Sequence, residues 1–310
     1  MPAVISITFD PVLQLSDTAS VRYETIALAI VLLVGLVLAG RIGSMTPAAV
    51  AAPGVHVPGL RLDDMAFAVI GSVPGAILGA RLGYVLDHLD FYGANPGAIV
   101  DPTQGGLTLT LAVPFAIITG AAITRLLAAP VSRWLHAIAL PMLFVLGAGK
   151  AIGVLGATGQ GSASDLPWAT SYTGPGPWGS LGADVAAHPS QIYEAILVGL
   201  VVVLLAAASR TRAFAWRDGR LLYAALALWA LARFTVAFTW RDPVLVGPLR
   251  AEQLQALAVA LIAGVAYLRR RRAPVEAAAG PEPALAQESG MVAEPAPATE
   301  LEPGAEAHPA

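Results

Sequence analysis

Apolar and polar positions alternate along this chain on the scale of whole helices rather than single turns. Apolar runs of about 17–25 residues predict seven helical spans, roughly over 23–40, 65–86, 106–128, 135–156, 192–208, 221–240 and 253–268. Two polar connections are long, 87–105 and 157–187, and neither contains Lys or Arg. After Arg272 the pattern stops. Residues 273–310 are rich in Ala, Pro and Glu, lack Lys and Arg and show no apolar periodicity, which predicts a disordered acidic tail. On this reading the chain divides into an outer segment 1–22, a seven-helix domain 23–272 and the tail 273–310.

Composition identifies the solvent of those helices. With 56% hydrophobic and 13% charged residues and a mean hydropathy of +0.68, the chain carries more apolar surface than a soluble domain of its length buries. An all-α polytopic membrane protein is expected. The absence of cysteine excludes disulfides, thiolate metal sites and a cysteine nucleophile. No cofactor, metal or nucleic-acid partner is called for. The first residues, MPAVISITFDPVLQLSD, lack the basic stretch of a cleaved signal, so the first span is expected to stay in the protein.

Charge placement orients the spans. Of eighteen basic residues, twelve fall at the far ends of spans 1, 3, 5 and 7 or in the loops after them: Arg41, Arg61, Arg125, Arg133, Arg210, Arg212, Arg217, Arg220 and Arg269 to Arg272. Those loops are cytoplasmic by the positive-inside rule. The other face carries only Arg22, Arg241 and Arg250. The N-terminus is expected outside and the C-terminus inside.

Three basic residues remain within the spans, Arg81, Lys150 and Arg233. A charge at the bilayer centre costs at least ~2.5–3.5 kcal/mol on insertion scales, so each needs a reason. All three lie on spans running outward, at a common depth of roughly 8–10 Å below the outer interface at 1.5 Å per residue. Span 5 runs the other way and opens with HPSQIYE, which brings His188, Gln191, Tyr193 and Glu194 to the same layer. Pro189 suits the first turn of that helix; the other polar groups need partners. Two readings follow. The cations form an outward-facing cavity that holds an anionic headgroup on one phosphate, since guanidinium forks match phosphate oxygens. Alternatively, they snorkel or join Glu194 in a network that only staples helices.

Glycines add geometry. Gly71, Gly75, Gly79 and Gly83 recur every fourth residue and predict close packing of span 2 against a neighbour. Span 4 ends in GAGKAIGVLGATGQG, where so many glycines predict a break just beyond Lys150 and free backbone N–H groups for a phosphate or glycerol oxygen. Trp168, Tyr172 and Trp178 in the following outer connection are expected at the membrane interface as aromatic anchors.

HPSQIYE (188–194), GARLGYVLDHL (79–89), QGGLTLT (104–110) and the arginine of ARFTVAF (232–238) resemble, in order and span, the bacterial prolipoprotein diacylglyceryl transferase family. The resemblance covers about residues 20–270. It implies seven spans with the N-terminus outside, residence in the bacterial inner membrane, and transfer of diacylglyceryl from phosphatidylglycerol to a lipobox cysteine thiol on the signal peptide of a preprolipoprotein. It also implies that Arg81 lies in the lipid-binding region, that Arg233 handles phosphate, and that His188 and Glu194 belong to the active-site rim. With Lys150, Gln191 and Tyr193 these complete the candidate site.

The chain departs from the family pattern at several positions. In 149–161 Lys150 stands for an arginine, Gly153 and Gly156 for asparagines and Thr158 for a glutamate, while Gly149 and Gly161 match. Thr110 stands for a histidine, and Ala237 for an acid four residues after Arg233. An ammonium replaces a guanidinium as a point charge but not as a fork, and Thr110 cannot act as a base near neutral pH. His188 is then the candidate base, with His88 behind it. The second function class is a non-catalytic lipid-binding or lipoprotein-handling protein derived from the family. A transporter ranks third, for want of an internal repeat.

Overall fold

A computed structural model describes residues 4–50, 56–101, 105–183 and 185–272; the expected tail, 273–310, lies outside the described residues. The chain separates into two units, Met1–Arg271 and Arg272–Ala310, and the first holds the fold. Among the described residues, seven helices are long and apolar enough to cross a membrane. They are α1 (Tyr23–Ser44), α2 (Leu62–Asp87), α4 (Leu109–Leu126), α5 (Val131–Ile152), α6 (Ser190–Ser209), α7 (Arg220–Val236) and α8 (Ala251–Arg272), with a short α3 (Leu89–Ala94) after α2. Most begin or end a few residues outside the apolar runs. Helical first and last turns carry polar groups that hydropathy discards, such as Asp63 and Asp64 at an N-terminus and Arg41 at a C-terminus. Each sign complements the helix dipole at its end.

α7 is the inner helix of the bundle. In its span 56% of the residues are buried, against 11% to 33% in the other six. Trp229, Leu222 and Ala225 of α7 meet Leu143 and Ala139 of α5 and Val198 of α6 in the main core. Large apolar side chains such as Leu33, Val37, Ile70, Leu78, Val203 and Ile262 point outward, as surfaces facing lipid tails do. Gly219 starts α7 with φ 86°, a conformation that favours glycine.

The glycine stripe packs as expected, and α2 with α4 is the most extensive helix pair. A Cβ at Gly75 would run into Thr119 and the Phe115 carbonyl, and one at Gly79 into the Leu111 carbonyl and Phe115. α5 also breaks where expected, ending at Ile152 and tightening into a 3-10 turn over Gly153–Leu155.

The long connection between α5 and α6 differs from its sequence reading. Its strand β2 (Thr170–Tyr172) pairs in parallel with an N-terminal strand, β1 (Ile5–Ile7). Tyr172 is fully buried, and Trp178 packs at 5.0 Å centroid distance on both Phe9 and Tyr172. Only Trp168, 50% exposed, keeps the exposure of an interfacial anchor. The other two rings serve a folded cap because the N-terminal segment supplies them with apolar partners, which no local pattern announces.

Candidate active site

The HPSQIYE segment is stitched in place before its side chains do anything. The His188 amide donates to the Ser162 carbonyl (3.0 Å), and the Gly161 amide donates to the His188 carbonyl (2.8 Å). Ser190 Oγ and Thr239 Oγ1 share a 2.6 Å hydrogen bond, and a side chain at Gly161 would collide with Ser190 and the Thr239 carbonyl. α6 therefore enters the bundle against the glycine turn that ends α5 and against the end of α7. Gln191 is buried, with its Cβ beside Gly153 and Gly159, and its amide donates to the Tyr172 hydroxyl at 3.4 Å. Burial, reinforced by the Glu24 charge and opposed by that hydrogen bond, pushes the Tyr172 phenol up to about 12. Tyr172 stays a neutral phenol at physiological pH. Tyr193, two residues after Gln191, faces elsewhere: its hydroxyl accepts from Trp168 Nε1 at 2.7 Å.

One turn into α6, Glu194 is 1% exposed and holds two cations. Lys150 Nζ of α5 lies 3.0 Å from its Oε2, and Arg233 Nη1 of α7 donates to its Oε1 at 2.6 Å. Arg233 is itself buried and spends its remaining edges on α4 and α8. Its Nε donates to Thr110 Oγ1 at 3.0 Å, and its Nη2 pairs with Glu252 Oε1. Thr110 closes the ring by donating to that same Glu252 oxygen at 2.5 Å. The Arg233 guanidinium also sits 4.8 Å from the Trp240 ring centroid and 5.6 Å from that of Trp229, and Lys150 Nζ 5.8 Å from Trp240. Five helices thus meet at one polar node, in which two cations balance two carboxylates.

The structure brings together only part of the expected layer. Arg81 has its own setting, donating from Nε to the Ile99 carbonyl at 2.9 Å and from Nη2 to the Ala98 carbonyl at 2.6 Å, with further contact to the Gly105 carbonyl. Its guanidinium lies 5.2 Å from the Tyr92 ring. Among the described residues it shares no hydrogen bond or ion pair with Lys150, Glu194 or Arg233. It lines a separate cavity of about 550 Å³ whose other walls include Ile77, Leu78, Ile99, Val100 and Leu107. A common depth on the spans does not imply a common azimuth, and α2 is drawn aside by its packing on α4. His188 is half-buried, its ring 6.2 Å from that of Tyr193 and its Nδ1 buried without a partner among the described residues. His88 stacks on Tyr84 at 4.1 Å and its Nδ1 pairs with the Tyr84 carbonyl, which ties it to the end of α2.

The glycine turn offers less backbone than its composition promised. The amides of Gly156, Ala157 and Thr158 point to the carbonyls of Gly153 and Val154, since a tight turn satisfies its own N–H groups. Two acids went unrecognised in the sequence. Glu252 is one, and Glu24 is the other: its Oε2 accepts from Thr158 Oγ1 at 3.0 Å and fills the space that a Cβ on Gly156 would need. A glutamate in the first turn of a helix is so ordinary that neither stood out. The signal that could have found them is an acid within one turn of the start of an apolar span.

The chain matches the family model described as prolipoprotein diacylglyceryl transferase over residues 12–269. Curated relatives named phosphatidylglycerol–prolipoprotein diacylglyceryl transferase include one from Geobacter sulfurreducens, 32% identical over 158 residues, which is 49% of this chain and 57% of the relative. A Finegoldia magna relative is 30% identical over 64% of this chain and 74% of its own length. One from Wolinella succinogenes is 33% identical over 60% and 70%. The similarity to the first of these therefore spans little more than half of that relative.

Proposed function

This chain belongs to the prolipoprotein diacylglyceryl transferase family, and from that premise we propose that it transfers the diacylglyceryl group of phosphatidylglycerol to the cysteine thiol of a preprolipoprotein signal peptide. The observation that carries the proposal is the buried node in which Lys150 and Arg233 meet on Glu194, behind a stitched HPSQIYE segment. In the reaction the thiolate attacks the glycerol carbon that bears the phosphate ester. A C–S bond forms, the C–O bond breaks, and glycerol phosphate leaves with the bonding electrons. Cations placed where that charge develops lower the barrier. Lys150 and Arg233 are proposed to receive the phosphate, and Glu194 to hold both in position. His188, at the rim, takes the thiol's proton, which raises the thiolate fraction. Arg81 and its apolar cavity receive another part of the lipid, while Gln191 and Tyr193 fix the wall of the site.

The test is incubation of purified protein with phosphatidylglycerol and a lipobox peptide. The peptide should gain the mass of one diacylglyceryl group as glycerol phosphate appears. A specific observation also favours a second reading, lipid binding without chemistry: each cation of the node already has a carboxylate partner. Retention of phosphatidylglycerol with no mass gain in the peptide would select that reading.

We propose further that the node faces the outer leaflet of the bacterial inner membrane, because the loops holding Arg125, Arg133, Arg210, Arg212, Arg217 and Arg220 are drawn to the cytoplasm. A reporter fused after Arg272 should be cytoplasmic. A cysteine in place of Leu181, 43% exposed, should react with an impermeant reagent from outside. Periplasmic activity of the fusion would overturn the orientation.

A further inference from the structure

The node carries a consequence for how an anionic lipid gets in. Its formal charges cancel: Lys150 and Arg233 against Glu194 and Glu252. An added phosphodiester would make the group net negative in a setting of low dielectric, where unpaired charge is expensive. One carboxylate must therefore yield, and the two are not equivalent. Glu194 is 1% exposed and bound to both cations. Glu252 has a side chain 13% exposed and touches one cation and one hydroxyl. Lys150, at 23%, is accessible as well, while Arg233, at 3%, is not. An incoming phosphate thus meets Lys150 directly and reaches Arg233 only by taking the place of Glu252.

We infer that Glu252 is a built-in placeholder anion: it occupies the phosphate position on Arg233 in the free protein and swings away when the phosphate of an anionic lipid arrives. Its location suits the exchange. Glu252 lies in the first turn of α8, so the displaced carboxylate remains in the favourable field of a helix N-terminus instead of being stranded. The Thr110 hydroxyl, which bridges Arg233 Nε and Glu252, can turn its proton to a phosphate oxygen without moving its helix. Arg233 never loses its hold on Glu194, so the guanidinium plane stays fixed against Trp240 during the exchange. The placeholder keeps a buried guanidinium paired while the site is empty and sets a threshold: a zwitterionic lipid, whose own ammonium offsets its phosphate, displaces it less well than phosphatidylglycerol.

This inference rests on the proposed lipid substrate, and the two are separable by experiment. Retention of phosphatidylglycerol and of phosphatidylcholine is measured by native mass spectrometry on wild type, Glu252→Gln and Glu252→Asp, with melting temperature in detergent as a control of folding. Removing the competing charge should raise phosphatidylglycerol retention by roughly ten- to a hundredfold, the equivalent of one charge-assisted contact, and raise phosphatidylcholine retention by clearly less, since its ammonium offsets the phosphate. Glu252→Asp, with the carboxylate drawn back by one methylene, should give a smaller gain, and it serves alone where Glu252→Gln does not fold. A merely structural Glu252 would lose binding on either change. Equal or lower phosphatidylglycerol retention in the folded variants overturns the placeholder, as does an equal gain for both lipids. A wild type with no preference for phosphatidylglycerol overturns the proposed substrate instead.

Discussion

Glu194→Gln should destabilise the folded protein by about 3–5 kcal/mol, the cost of breaking a buried ion pair by removing one partner. Glu194 is the only carboxylate among the described residues that contacts both Lys150 and Arg233, and its neutralisation leaves two positive charges inside the bundle with Glu252 alone to balance them. The amide still fits the space, so the loss reports charge rather than shape. Thermal unfolding in detergent measures it directly. A companion variant sharpens the reading: adding Lys150→Met to Glu194→Gln removes one of the two stranded cations and should recover part of the lost stability, because residues in one ion-pair network do not act additively. A single variant that melts with the wild type would show that water reaches the node and that the pairs carry little.

Arg233→Gln has the larger effect on lipid binding. The guanidinium makes three polar contacts at once, to Thr110, Glu194 and Glu252, and glutamine can satisfy none of them as a cation. Loss of one charge-assisted contact to phosphate, about 1.5–3 kcal/mol, corresponds to a roughly ten- to hundredfold fall in phosphatidylglycerol retention. On the proposed mechanism the same contact would stabilise the departing phosphate, so peptide modification should fall with it. Arg233→Lys should restore only part of the binding: the charge returns, but an ammonium cannot span Glu194 and a phosphate with a planar fork. The ratio of phosphatidylglycerol to phosphatidylcholine retained is the decisive measurement. If that ratio is the same in wild type and in Arg233→Gln, Arg233 holds helices together and nothing more.

Glu194 and Glu252 also show how far the sequence could be read. Glu194 stood out because it follows His188, Gln191 and Tyr193 at the head of an unbroken apolar run, and each such group inside a membrane demands a partner. Lys150 and Arg233 stood out for the same reason. Arg81 stood out equally, yet it belongs to a different setting, among the carbonyls of Ala98, Ile99 and Gly105. Insertion cost marks a residue as needing a partner without saying which. Glu252 was invisible because an acid in the first turn of a helix already has an adequate local explanation.

What the sequence by itself determined is everything that repeats or breaks along one helix: the seven spans, the glycine face of α2 against α4, and the end of α5 beyond Lys150. These follow from properties local in the chain, hydropathy over a window, side-chain size every fourth residue and the weakness of glycine as a helix former. Only the tertiary structure decided which polar groups meet. Thr110 and Glu252 are separated by 142 positions, and Thr110 and Arg233 by 123. Their contact depends on how α4, α7 and α8 are rotated about their own axes. That rotation is set by packing over the whole bundle, with Trp229 and its neighbours at the centre, and no periodicity within a single span encodes it.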